Sequence, residues 1–205
     1  MTEAEWLAVA EPRKMLEYLI GRVSVRKQRL FACACCRRIW HLLADPRSRH
    51  AVETAERFVD GDVTTGEIEA AMTAADDAAD DAHGPGSEAA EAAADVIADV
   101  RGCAIAAASA GDQQRRVERF AQSVLLRDIF GNAFRPVTFS PDWLTPTAVD
   151  LAEVIYEDRA FDRLPILADA LQDAGCEDAD VLGHCRSDGP HVRGCWVVDG
   201  VLGKG

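Results

Sequence analysis

The 205-residue chain is 48% hydrophobic and carries 35 acidic against 22 basic side chains, which gives a formal net charge of −13. A chain of this length and composition can bury a full core, so intrinsic disorder is excluded as its general state. The negative charge argues against nucleic acid or an anionic membrane as the principal partner, because such binding depends on neutralising phosphates.

Helix signals follow one another through the N-terminal part of the chain, and strand signals are scarce. A capping residue or an early proline precedes most of the apolar repeats. The predicted helices there run from Ser24 to Leu43, from Asp45 and Pro46 through residue 59, from Thr64 or Thr65 through residue 82, from Ser87 through residue 110, and from Asp112 to Gly131.

The segment NAFRPVTFSPDW that follows is extended and contains prolines, which indicates a connector. Four further helices are predicted to begin near Thr145, Asp162, Asp178 and Asp188, the last with Pro190 in its first turn. The sequence therefore predicts an all-α multi-helix bundle of about nine helices that ends in two helical hairpins. Its parts are an N-terminal helical part (1–130), an extended connector (131–144) and a C-terminal helical part (145–205).

Charge is distributed unevenly along the chain. A basic segment (13–49) has ten Lys and Arg against two acidic residues, whereas an acidic segment (60–99) has twelve Asp and Glu and no Lys or Arg. We expect the two segments to neutralise each other within the molecule, at about 0–1 kcal/mol per exposed pair. No aromatic residues interleave with the arginines in the manner of a nucleic-acid surface.

Five stretches together resemble a large paralogous family of uncharacterised proteins from planctomycete-type bacteria. They are RLFACACCRRIWHLL, LLRDIFGNAFRPV, PDWLTP, FDRLPILADALQDAGC and HCRSDGPHVRGCWVVD, and they span nearly the whole chain apart from the acidic segment. The resemblance implies no activity, cofactor or catalytic residue. It implies an aliphatic residue at position 200, where this chain has Gly200.

The stretch GCEDADVLGHCRSDGPHVRGCW concentrates cysteine and histidine. On a helix beginning at Pro190, His191 and Cys195 would share one face, and Cys176 and Cys185 lie in the preceding hairpin. These four residues, with His184 as a substitute, form a candidate tetrahedral zinc site.

Two alternatives use the same residues. The face of His191 continues to Val198 and Leu202, so His191 and Cys195 are also expected to serve simply as core residues, and this interpretation is preferred. In a catalytic alternative, Cys185 is the nucleophile, His191 or His184 its base, and Asp188 the group that orients the base.

The three thiols Cys33, Cys35 and Cys36 are interpreted as core packing, because no thioredoxin-like strand precedes them. An odd number of cysteines and their crowding on one helix predict reduced thiols. With no secretory signal at the N-terminus, we expect a cytoplasmic protein.

No GxGxxG, GxxxxGK, GxSxG or HExxH pattern occurs in the sequence. We therefore predict a non-enzymatic helical protein–protein interaction or regulatory module, with a protein partner, no membrane association and no cofactor. The alternative is a zinc-dependent or cysteine-dependent enzyme centred on residues 176–195.

Overall fold

The computed structural model describes residues 1–84, 86–110 and 115–205, and within these ranges it contains helices, turns and loops but no strand. The all-α prediction is confirmed. The described part forms two compact units, residues 1–126 and residues 127–205. No helix in the described ranges is both long enough and apolar enough to cross a membrane.

Twelve α-helices occur in the described residues, against the nine or so predicted. They are α1 Glu3–Ala8, α2 Pro12–Leu19, α3 Val25–Arg38, α4 Pro46–Asp60, α5 Thr65–Asp81, α6 Ser87–Ala94, α7 Val100–Ser109, α8 Arg115–Phe130, α9 Pro146–Asp158, α10 Leu164–Asp173, α11 Ala179–Cys185 and α12 Trp196–Leu202. Short 3₁₀ turns lie at Trp40–Leu42, Pro141–Trp143 and Phe161–Arg163.

The larger number of helices has local causes. α1 and α2 lie in a region for which no helix is predicted, and the single alanine-rich helix predicted from Ser87 is interrupted between α6 and α7. There the side chain of Asp99 accepts a hydrogen bond from the backbone N–H of Arg101 and caps α7, because a short acidic side chain competes for backbone donors. The predicted first residues of the α8 helix, 112–114, lie outside the described residues.

The first unit is organised around α3. Ser24 caps this helix as predicted, and every residue from Leu30 to Cys36 is buried, because α3 packs against α4, α6 and α7. The arginines of α3 pair with acidic residues around it: Arg26 with Asp60, Arg37 with Glu56, and Arg38 with Glu118.

Ion pairs join the basic and acidic segments, as the charge pattern predicts. Within the described residues, Arg26–Asp60 and Arg47–Asp81, both at 2.9 Å, join them. Other arginines of the basic segment pair with acids outside the acidic segment, as Arg37 does with Glu56 and Arg38 with Glu118.

The second unit has its own apolar core. α9 packs against α10 and α12, and α10 packs against α11. Its buried side chains include Ile155, Leu164, Leu167, Leu171, Val181, Val197 and Val198. The segment 131–144, predicted as a connector, belongs to this unit and contributes Val137 and Phe139 to the edge of the core.

Gly200 lies directly under the ring of Phe139. A Cβ atom at this position would come within 2.1 Å of Cε2 of that ring, which itself packs edge-on against Trp143 and Trp196. The glycine therefore fits this chain, whereas the aliphatic residue that the resemblance implies would displace the ring.

The prediction that the last helix begins at Pro190 is wrong. α12 begins at Trp196, and Gly194 before it adopts a left-handed backbone with φ of +93°. The backbone N–H of Val192 donates to a carboxylate oxygen of Asp128 at 2.9 Å instead of to a helical carbonyl. His191 thus lies in a loop, and it does not share a helical face with Cys195.

Candidate metal centre

Four side chains converge in the second unit. Asp128 comes from the last turn of α8, His184 from the end of α11, His191 from the loop after it, and Cys195 from the N-cap position of α12. One potential ligand atom from each residue lies within 4.8 Å of the others. We refer to these four residues as the DHHC cluster.

The individual separations resemble the edges of a small coordination polyhedron. Asp128 Oδ1 lies 2.7 Å from His191 Nδ1 and 3.2 Å from His184 Nε2, and His184 Nε2 lies 3.2 Å from Cys195 Sγ. Tetrahedral zinc with ligand bonds of about 2.0–2.3 Å has ligand–ligand edges of roughly 3.3–3.8 Å. These three separations would need to open by about 0.1–1 Å, whereas the widest separation in the cluster, up to 4.8 Å, would need to close by roughly an ångström.

Outer contacts hold the ligands in place. The second carboxylate oxygen of Asp128 accepts the N–H of Val192, so Oδ1 is the oxygen left facing the two histidines. His191 Nε2 lies 3.3 Å from the carbonyl oxygen of Ser187, and the hydroxyl of Ser187 donates to the carbonyl of His184 at 2.8 Å. An Nε2–H bond to a backbone carbonyl leaves Nδ1 as the coordinating nitrogen, which is the usual outer arrangement around a metal-bound histidine.

The DHHC cluster is well shielded from water. The side chains of Asp128, His191 and His184 are 3%, 7% and 16% exposed, and Cys195 is 1% exposed. Two of the four groups can carry a negative charge, and buried charges require compensation. A dication would supply it.

Without a metal, protons provide that compensation. Burial alone would raise the pKa of Asp128, but hydrogen bonds from His184 and His191 outweigh it and leave the pKa lowered. Burial alone would lower the pKa of His191, but its bond to Asp128 raises it above the usual value. Burial raises the pKa of Cys195 well above its usual range, and the charge of Asp128 adds to the effect.

The geometry does not match a catalytic Cys–His–Asp triad. In such a triad the nucleophile and the acid contact different nitrogens of the imidazole, so that one nitrogen takes the proton while the other is held. Here the same atom, His184 Nε2, faces both Cys195 Sγ and Asp128 Oδ1 at 3.2 Å. Four donor atoms that converge in this way could hold a metal ion.

The structure divides the sequence-predicted ligands. It brings His191, Cys195 and the substitute His184 together, and it places Cys176 and Cys185 in the apolar core, outside the DHHC cluster. Cys195 belongs to the apolar core as well as to the DHHC cluster, as the core interpretation expected, whereas His191 contacts the buried carboxylate of Asp128.

The residues of the cysteine-nucleophile alternative are not arranged for catalysis. Cys185 is fully buried, and burial raises the pKa of its thiol to about 12, which disfavours the reactive thiolate. Asp188 is exposed in the loop after α11, whereas the carboxylate that contacts His191 belongs to Asp128.

Sequence reasoning missed Asp128. It lies on the face of α8 that also carries the buried Leu125 and Ile129, so its acidic side chain interrupts an otherwise apolar face. An ionisable residue at a position that helical periodicity assigns to the core was the available signal, since such residues are almost never buried without a partner.

The remaining thiols lie in the first unit. Cys33, Cys35, Cys36 and Cys103 are buried, and Cys36 Sγ lies 3.6 Å from Cys103 Sγ. Burial raises the pKa of Cys35 well above its usual range, so its thiol stays protonated at neutral pH.

Comparison of the chain with protein-family models, with curated proteins and with solved structures finds no match.

Proposed function

We propose that this chain is a non-enzymatic helical module whose C-terminal unit binds one zinc ion through Asp128, His184, His191 and Cys195 in a structural role. The observation that carries the proposal is the convergence of these four ligand atoms within 4.8 Å in a buried setting. The proposal replaces the preferred core interpretation of His191 and Cys195.

Zinc suits this donor set better than other common ions. It accepts thiolate, imidazole and carboxylate ligands in tetrahedral geometry, whereas calcium and magnesium require oxygen ligands. Two histidines with one carboxylate would also suit iron(II), but the thiolate of Cys195 shifts the preference towards zinc. Zinc with one thiolate, one carboxylate and two neutral imidazoles also gives a site with no net charge.

A structural role follows from the number and burial of the ligands. Structural zinc sites have four protein ligands, whereas catalytic sites keep one position for water or substrate. The DHHC cluster supplies four, and its most exposed side chain, His184, is only 16% exposed. This arrangement favours the module over the zinc-dependent or cysteine-dependent enzyme.

The partner of the module is proposed to be a protein, in the cytoplasm. The net charge of −13 disfavours nucleic acid. Val117 and Phe120, one turn apart on α8, are 60% and 57% exposed and offer an apolar contact. Seven free cysteines are consistent with a reducing compartment.

Metal content measured on protein purified without added metal tests the zinc site. We expect about one zinc per chain by elemental analysis, and we expect Cys195→Ser and His191→Ala to lose it. Cys185→Ser is the matched control, because it alters a buried cysteine of the same unit outside the DHHC cluster and should retain the metal. Absence of metal from the native protein even after incubation with zinc, or full retention by Cys195→Ser, would overturn the proposal.

A further inference from the structure

A cavity of the first unit is lined by residues other than those of the DHHC cluster. It has a volume of about 520 Å³ and lies between the start of α2, the length of α7 and the start of α8. This volume falls within the range of about 300–1,000 Å³ that is typical of small-molecule sites. Its apolar wall includes Leu16, Ala104 and Ala108, which are all largely buried.

Arginines surround this cavity. The four that line it are Arg13, Arg101, Arg115 and Arg119, against two carboxylates, Glu11 and Asp99. This local excess of positive charge is notable in a chain with a net charge of −13, because elsewhere the acidic residues predominate.

Few carboxylates neutralise these arginines. Arg13 pairs with Glu17 at 3.1 Å on the exposed surface of α2, and Asp99 already accepts the backbone N–H of Arg101. Among the described residues, no carboxylate forms an ion pair with the guanidinium of Arg101 or Arg119. Four guanidinium groups against two carboxylates leave an excess of positive charge in the lining of the cavity, which an anion would offset.

The wall between α7 and α8 is fixed before any ligand arrives. Gln122 is 1% exposed, and its side-chain amide donates to the carbonyl of Ala104 at 2.8 Å, which ties the two helices together beside the cavity. This buried contact sets the spacing of the helix backbones that carry Arg101 on α7 and Arg119 on α8, whereas the two arginine side chains are exposed.

We propose that this cavity binds a small organic anion, with its carboxylate or phosphate group at the arginines and its apolar body against Leu16, Ala104 and Ala108. Arginine presents a planar fork of N–H donors that matches either group. The apolar wall favours a ligand with a hydrocarbon portion over a free inorganic ion.

Titration of the full chain with 8-anilinonaphthalene-1-sulfonate, a fluorescent anion with an apolar body, tests the cavity directly. We expect saturable binding at one site, and we expect the double variant Arg101→Gln, Arg119→Gln to bind at least about tenfold more weakly. Arg116→Gln is the control, since it removes one positive charge from α8 at a residue that does not line the cavity. Ala108→Leu should weaken binding without any change of charge, because it fills the apolar wall.

Competition identifies the chemical class of the ligand. Octanoate and octyl phosphate should displace the probe, and their relative potency distinguishes a carboxylate ligand from a phosphate ligand. Octanol should displace it poorly, because it lacks the anionic group. Equal binding by the double variant and by Arg116→Gln, or displacement by octanol as effective as by octanoate, would overturn the inference.

Discussion

Substitution of Asp128 by asparagine separates a metal ligand from a simple ion-pair partner. If free zinc is kept about a thousandfold above its dissociation constant, the bound ion contributes about 4 kcal/mol to the free energy of unfolding. In metal-free protein, Asp128→Asn weakens charge-assisted contacts to His184 and His191, which costs about 1.5–3 kcal/mol. The expected loss is therefore about 6 kcal/mol with zinc and about 2 kcal/mol with a strong chelator.

Urea unfolding followed by circular dichroism, with zinc and with chelator, measures both losses. Asp199→Asn is the matched control, because Asp199 is another buried acid of the same unit that lies outside the DHHC cluster. Its cost should be the same under both conditions. An equal loss for Asp128→Asn with and without chelator would show that Asp128 serves only as a partner of the histidines.

Further predictions concern pH, packing and charge. In metal-free protein the raised pKa of His191 contributes stability below about pH 6.5, and this stability is lost as the pH rises through the raised value. Zinc-loaded protein should gain stability over the same rise, because its ligands must lose protons to bind the metal. Urea midpoints between about pH 6 and 8 that fall alike in both forms would contradict a zinc site. Gly200→Ala should cost about 1–3 kcal/mol in urea unfolding, and Phe139→Leu should recover part of that cost if the ring is the obstacle. Asp81→Asn should lower stability by under about 1 kcal/mol through its pair with Arg47, and a loss that persists in 1 M salt would argue against an ion pair.

Local signals in the sequence predicted much of the fold. Ser24, Asp45, Thr64 and Thr145 each accept a backbone N–H at the start of the predicted helix, because a cap needs only residues two or three positions away. The prediction at Pro190 failed because the N–H of Val192 is taken by Asp128, a residue 64 positions away. No local pattern reports such a contact.

The ligands of the candidate site were also only partly predictable from the sequence, because they are brought together by long-range contacts. Composition indicated His184, His191 and Cys195, but spacing could not show that Cys195 alone of the three core cysteines of this unit also contacts the cluster. The direction in which each cysteine faces depends on which side of its short segment packs against α8 and which side packs against α9 and α10. The sequence therefore indicated the region of the site, while its ligand set required the tertiary structure.

The positions of the ligands explain why a metal would matter to this unit. His184 lies in α11 and Cys195 caps α12, and each of these helices has only seven residues. Helices this short are unstable in isolation, because too few hydrogen bonds follow the costly first turn. A zinc ion joining them to Asp128 would tie both helices and the intervening loop to the end of α8, and its binding free energy would be coupled to the folding of these elements. Zinc binding would therefore increase the stability of any surface that α11 and α12 present to a protein partner.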